Sequence, residues 1–188
     1  MSTSLSADKI IETFPHPTIT PIIGQPTYES IAELHLKLNA NAASVHSNHG
    51  NGALGLLFLT IKPEVYSTLS NVPFLPPTNP GSNPSIPTGS TGPQISDIRR
   101  RHAEQYNEWM RYDQTEKSLK KLLLAAVDET YVRSLRHKYV GYANVKTLTI
   151  LNHLYDAYAK ITAQDLKEND KRLNTPYDPN DTMETLID

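Results

Sequence analysis

Residues 93–126 contain no glycine, and after Pro93 no proline, in a chain otherwise full of both. Along this stretch Ile95, Ile98, Tyr106, Trp109, Tyr112, Leu119, Leu122, Leu123 and Ala126 recur mostly in steps of three or four, or sums of these. That is the period of one helix face. Arg99, Arg100, Glu104, Glu108, Arg111, Lys117, Lys120 and Lys121 occupy the other side. Thr91 and Gln94 stand at capping-box spacing, and proline is tolerated in a first helical turn. The pattern predicts one long amphipathic helix, or two that abut near Asp113, where Asp113 and Glu116 offer a second capping box. Trp109, the one tryptophan of the chain, lies midway and is expected to anchor an α-helical core.

The prolines sort the rest of the chain. Twelve of the fourteen lie at or before Pro93. Each removes a backbone donor and pushes its predecessor out of helical geometry. Residues 1–27, with Pro15, Pro17, Pro21 and Pro26, therefore read as an extended arm. Residues 28–71 read as short helices around a glycine-rich loop. Ser30 and Glu33 suggest a capping box, and Ile31, Leu34, Leu38 and Ala42 a buried stripe. The run Asn48-His49-Gly50-Asn51-Gly52 accepts positive φ readily and reads as a loop. Leu54–Ile61 is an apolar run compatible with a strand or a buried helix, and Pro63 opens another short helix through Leu69. Residues 72–92, with Pro73, Pro76, Pro77, Pro80, Pro84 and Pro87 among Ser, Thr, Asn and Gly, read as a linker that packs no core.

Residues 93–188 are expected to form a helical domain. Tyr131, Leu135 and Tyr139 predict a short helix ending near Gly141. Leu148, Leu151, Leu154, Tyr155 and Tyr158 predict another. Thr162 with Asp165 predicts a helix carrying Leu166 and Leu173, stopped by Pro176 and Pro179. A last capping box, Asp181 with Glu184, opens a helix that meets the chain end, so the domain is expected to be truncated there. The fold class is all-α.

The chemistry-bearing residues form no familiar site. With no cysteine among 188 residues, disulfides, thiolate zinc sites and a cysteine nucleophile are excluded. No apolar run reaches membrane-spanning length, and no signal peptide is visible, so an intracellular, cytoplasmic protein is expected. A formal net charge of −2 argues against a dedicated nucleic-acid-binding chain. His46 and His49 lack further ligands for a metal. His102, His137 and His153 sit on predicted helices without a partner that would make them general bases. No phosphate loop or nucleophile elbow occurs. Catalytic, cofactor and metal sites are all expected to be absent. Arg99, Arg100, Lys120 and Lys121 are the candidates for a surface that faces RNA.

Three stretches together resemble a known family. Trp109, then Lys121-Leu-Leu-Leu-Ala-Ala-Val-Asp128, then Thr147-Leu-Thr-Ile-Leu-Asn-His-Leu-Tyr-Asp-Ala-Tyr158 are similar to the Gag region of Copia-type LTR retrotransposon polyproteins. That family has a Trp in an early helix, a small-and-aliphatic second helix and a helix of Thr-Ala-x-Glu-Ile-Trp type. Here Leu148 stands where Ala is usual, Leu151 replaces the second Trp and Ala159 the Gly. Upstream, Pro26, Leu34, Leu38, Asn41-Ala-Ala-Ser44, Gly52–Leu57, Tyr66 and Asn79-Pro80-Gly81 resemble the longer N-terminal portion of such reading frames.

The resemblance implies a non-enzymatic capsid-type protein of a eukaryotic host that self-associates around its element's RNA. The RNA-binding zinc knuckle of the family would lie beyond this cysteine-free stretch. Trp109, Leu119, Leu123, Leu151, Leu154 and Tyr158 would hold the core or the assembly. Leu56, Leu57 and Phe58 are candidates for contacts between copies if they are exposed. The alternative is a monomeric helical adaptor that binds a protein partner through its helical face or its proline-rich segment.

Overall fold

A computed structural model of the chain describes residues 5–159 together with Lys167, Asp170 and Lys171. Leu166 and Leu173, expected on one helix, and the last helix, opened by Asp181 with Glu184, lie outside the described residues. Six α-helices appear among the described residues, with short 3-10 turns between them and no sheet beyond one isolated bridge. The fold is all-α. No described helix is long and apolar enough to cross a membrane.

The chain begins with a correction. Residues 1–27 are not a continuous extended arm, because Ala7–Thr13 form helix α1. Ser6 caps it by accepting the Lys9 N–H at 3.5 Å, and Asp8 sits in its first turn. All four prolines of the arm fall at residue 15 or later, so nothing prevents the preceding residues from coiling. Ile10 and Phe14 are buried. The Ser118 hydroxyl donates to the Ala7 carbonyl at 2.9 Å, and Lys121 pairs with Asp8 at 2.6 Å.

Only the rest of the arm is extended, and it is clamped. Buried Asn41 accepts from the His16 N–H and donates back to the His16 carbonyl, each at 2.8 Å. Further on, the Ile22 N–H donates to the Ala126 carbonyl at 2.8 Å. That bond satisfies one of the acceptors left over at a helix C-terminus.

Helix α2 spans Tyr28–Ser44 and is capped by Thr27, not by Ser30. Thr27 follows Pro26 and already supplies the hydroxyl. Ser30 completes the box by accepting the Thr27 N–H at 2.9 Å. Glu33 pairs instead with Lys37 at 2.6 Å. Ile31, Leu34, Leu38 and Ala42 are buried as their spacing predicts.

The ambiguous run after it is neither strand nor long helix. It makes two 3-10 turns, Gly52–Leu54 and Leu57–Leu59. Gly55 between them has φ +51°, and a Cβ there would stand 2.3 Å from the Ala43 carbonyl oxygen. Leu56 is buried, and Leu57 and Phe58 pack against the core, so these three are no exposed contact patch. Helix α3 runs Pro63–Leu69 with proline in its first turn. Its buried Tyr66 accepts the Asn51 N–H at 3.1 Å.

Helix α4 is one uninterrupted helix, Gly92–Ala126, of 35 residues. At its start the Thr91 N–H donates to Gln94 Oε1 at 2.8 Å. Asp113 and Glu116 do not open a second helix: Asp113 pairs with Lys117 at 2.7 Å, and Glu116 turns to Thr147. Helix α5 is short, Glu129–Val132, and runs into a 3-10 turn, Arg133–Leu135. A hairpin turn from His137 to Gly141 follows. Tyr139, expected on a buried face, is 81% exposed at its tip, because the 3-10 turn breaks the helical register before that residue. Helix α6 spans Thr147–Tyr158.

The core forms where α1, α2 and α6 meet the C-terminal third of α4. Ile31, Leu38, Leu119, Leu123, Val132, Ile150, Leu151 and Leu154 are all fully buried.

Candidate functional site

Most of α4 lies outside that core. At about 1.5 Å per residue it is about 52 Å long, yet all its buried residues fall from Thr115 onward. Trp109 is half-buried and stands outside the core cluster, which corrects its assignment as core anchor. The reason is angular. At about 100° per residue, Trp109 lies about 80° off the line of Leu119, whereas Tyr112 lies within about 20° of it. Tyr112 packs against the core. Trp109 instead meets Tyr106 at a ring-centroid distance of 5.6 Å, on the projecting half of the helix. Of the remaining predicted core residues, Leu119, Leu123, Leu151 and Leu154 are fully buried, and Tyr158 is half-buried against Tyr131.

The proline-rich segment 72–92 is more than a linker. Phe74 is buried, stacked on Phe58 at 4.8 Å and close to Tyr66 and Tyr112 at 5.9 and 6.2 Å. Farther along, Leu75, Pro76, Pro77, Thr78 and Pro80 share a groove of about 580 Å³ with His49, Glu104, Gln105 and Glu108. The segment thus passes residue 112 first and residue 104 next, and runs back antiparallel along the projecting half of α4. Asn48 ties the glycine-rich loop to the same face by donating to Glu108 at 2.6 Å.

The four basic candidates do not form one surface. Arg100 and Lys120 are twenty residues apart on a straight helix, about 30 Å. Arg100 bonds both Asp97 and Glu104 at 2.7 Å, and Arg101 also pairs with Asp97. These two arginines hold the Asp97 carboxyl below the usual range. At the other end, Lys121 pairs with Asp8, and Lys120 donates to the Tyr142 and Ala143 carbonyls at 3.1 and 3.0 Å. Lys120 therefore holds the loop before α6. Arg99 is exposed.

Two partly buried titratable groups take places not expected from sequence: Glu116, read there as part of a capping box, and His35, not singled out at all. Glu116 sits on the buried stripe of α4, three residues before Leu119 and seven before Leu123, and an acid at such a position is a legible signal. It accepts the Thr147 N–H at 2.7 Å and the Thr147 hydroxyl at 3.0 Å, capping α6 from a different helix. Burial pushes its carboxyl above the usual range, against the pull of the Thr147 hydrogen bonds and of Lys120 and Lys146. His35 lies beside the core face of α2. Its Nε2 meets the Thr60 carbonyl at 2.9 Å and its Nδ1 the Tyr155 hydroxyl at 3.2 Å. A neutral ring that donates from Nε2 and accepts at Nδ1 satisfies both, and burial holds its pKa below the ordinary value.

The histidines named from sequence stay apart from such chemistry. His46 meets Asn48 at 3.0 Å, and His49 lies against Phe74. Among the described residues no group of three His, Cys, Asp or Glu side chains could hold a metal ion. His102 is half-buried, with its Nε2 unpartnered among the described residues. His137 Nδ1 accepts the Tyr139 N–H at 3.2 Å. His153 Nε2 lies 3.3 Å from the Ser134 hydroxyl, but it also meets the Tyr131 carbonyl at 3.1 Å, which requires that nitrogen to carry its proton. It is a donor there, so it does not activate Ser134.

Geometry and fold together define an all-α protein with a projecting, strapped helix. Comparison with protein-family models, with curated proteins and with solved structures finds no match.

Proposed function

We propose that the chain is a non-enzymatic structural protein of the Gag type, which self-associates through the projecting half of α4 into a capsid-like particle around RNA of its own element. The observation that carries this reading is α4 itself. A 35-residue helix with no buried residue before Thr115 presents a long face, with Tyr106 and Trp109 at its centre, to something other than its own core. A second copy suits that face by its aromatic pair. Tyr106 is exposed and Trp109 half-buried on the projecting half. A second α4 laid antiparallel about them sets the Tyr106–Trp109 pair of each copy against that of the other, the self-complementarity that a two-fold contact needs. The resemblance of the Trp109, Lys121–Asp128 and Thr147–Tyr158 stretches to Gag points the same way.

Sedimentation velocity over a range of concentrations tests it. The native chain is expected to grow in mass with concentration, and the Tyr106→Ala/Trp109→Ala double variant to remain monomeric while still folded. A native chain that stays monomeric at every concentration overturns the reading.

One feature favours the monomeric adaptor as the second reading. The groove between the proline strap and α4 carries Glu104 and Glu108 but no lysine or arginine in its lining. A basic peptide with an apolar residue for the proline wall fits that chemistry. A monomeric chain that captures such a peptide in the groove would favour the adaptor.

A further inference from the structure

From Thr130 to Tyr155 the chain runs 26 residues without a single acidic group. The same stretch carries Arg133, Arg136, Lys138 and Lys146, in a chain whose formal net charge is −2. All four side chains are exposed. Arg136 and Lys138 flank His137, the first residue of one small turn, and Arg133 and Lys146 lie within five residues of its ends. His137 and Gly141 exchange two backbone hydrogen bonds, each of 3.0 Å, and Gly141 turns the chain with φ +58°. At the tip stands Tyr139, 81% exposed. The Lys138 ammonium lies 5.3 Å from the centre of its ring, and the His137 ring 6.0 Å away.

Folding does not account for this arrangement. An aromatic ring left in water contributes nothing to the core, and the turn needs no tyrosine at that place. The Glu129 carboxylate that meets Arg136 at 3.2 Å does not cancel the charge, since both side chains are 57% exposed and such a pair is weak. Beside the hairpin, Leu124, Val127, Glu129, Val132, Arg136, Gly141 and Tyr142 line a pocket of about 330 Å³, in which the Arg136 guanidinium faces the Glu129 carboxylate. The Tyr142 hydroxyl is buried and has no hydrogen-bond partner among the described residues.

We propose that the segment Arg133–Lys146 binds single-stranded nucleic acid, with its four cations on successive phosphates and Tyr139 stacked on a base. Cations that track a backbone, interleaved with an exposed ring, are what unpaired strands require. Every base has a face to stack, whereas the bases of a duplex are already stacked on one another. The neighbouring pocket, with the Tyr142 hydroxyl and the Arg136 guanidinium, offers a polar place for the edge of an adjacent base. A lipid surface fits less well. Membrane-binding turns insert large apolar residues, and here Val140 is the one aliphatic at the tip, flanked by His137, Lys138 and Tyr139. The proposal deepens the RNA part of the reading above but needs only one copy of the chain. It therefore survives if self-association fails.

The test is fluorescence anisotropy of a short labelled oligouridylate, with the full chain held at concentrations where sedimentation shows monomer. Over a salt titration, four phosphate contacts predict a slope of log K against log salt of about −2.8. Arg133→Gln/Lys138→Gln is expected to flatten that slope by about 1.4. Tyr139→Ala is expected to weaken binding about 5- to 100-fold and leave the slope unchanged. All three side chains are exposed, so thermal unfolding should match the parent, and a loss of binding cannot be assigned to a loss of fold. No binding of the oligonucleotide, or binding that Tyr139→Ala leaves intact, overturns the proposal. So does capture on phosphatidylserine vesicles without binding of the oligonucleotide.

Discussion

Leu123 and Trp109 lie on the same helix and should respond differently to truncation. Leu123 is fully exposed to no solvent at all, at 0% accessibility, and sits where α1, α2 and α6 converge on α4. Leu123→Ala loses the transfer free energy of its missing carbons, about 0.8 kcal/mol each, and leaves a cavity. Elements packed on several sides limit collapse into that cavity, which places the cost near the upper part of the range for such changes, about 3–5 kcal/mol. Trp109 contributes the larger side chain, but it is half-buried and meets Tyr106 away from the core. An aromatic pair of that kind adds about 1 kcal/mol beyond the area it buries, and the covered part of the Trp109 ring adds about 1–2 kcal/mol with no enclosed cavity. The assay is urea unfolding followed by far-UV circular dichroism. With a denaturant slope of about 2 kcal/mol per molar, Leu123→Ala lowers the midpoint by about 1.5–2.5 M, and Trp109→Ala by about 1–1.5 M. Equal losses for the two variants would refute the assignment of Tyr112, in place of Trp109, to the buried line of α4.

Three further outcomes follow from the packing. Gly55→Ala places a Cβ against the Ala43 carbonyl at a positive φ. It should lower the thermal midpoint by several degrees, and an unchanged midpoint would contradict the geometry of that turn. Glu116 has its carboxyl pKa raised in the folded chain. Its contribution is therefore fully present below the unfolded pKa and is lost as pH rises through the folded value. Urea midpoints of Glu116→Gln should gain on the parent as pH rises through the carboxylate range, and a parent that gains on the variant reverses the sign and refutes it. His35 has its pKa lowered from 6.5 by burial. Its contribution is present above that value and is lost as pH falls through the folded one, so His35→Gln should flatten the loss of stability on mild acidification, and an unaltered pH profile would count against it.

What could be read from sequence was local. The Thr91–Gln94 box, the stripe Ile31–Leu34–Leu38, the proline that opens α3 and the unbroken period of α4 depend on neighbours within one or two turns, and the fold keeps all of them. The misreadings come from tertiary partners. α1 was hidden because four prolines that follow it coloured the whole arm. Phe74 looked like one apolar residue in a linker, and only the distant Phe58, Tyr66 and Tyr112 turn it into an anchor. Glu116 and Asp113 fit a capping box by spacing, but the helix end that Glu116 caps belongs to α6, thirty-one residues away. The cations Arg133, Arg136 and Lys138 stand in the sequence as part of a broader set of basic residues, and only the fold shows that they border the turn from His137 to Gly141 rather than sharing a face with Arg100.

The central claim is that the projecting half of α4 meets a second copy of itself. The chain has no cysteine, so Ala103→Cys provides a single attachment point for a spin label on the exposed side of that helix. Packed helices have axes about 10 Å apart. Pulsed dipolar spectroscopy of the labelled full chain, at concentrations above its association range, should then report a narrow distribution of short distances between copies. The distances should vanish on dilution with unlabelled protein and in the Tyr106→Ala/Trp109→Ala background. A labelled sample with no distance between copies, while sedimentation shows the chain associated, would place the contact elsewhere and contradict the account.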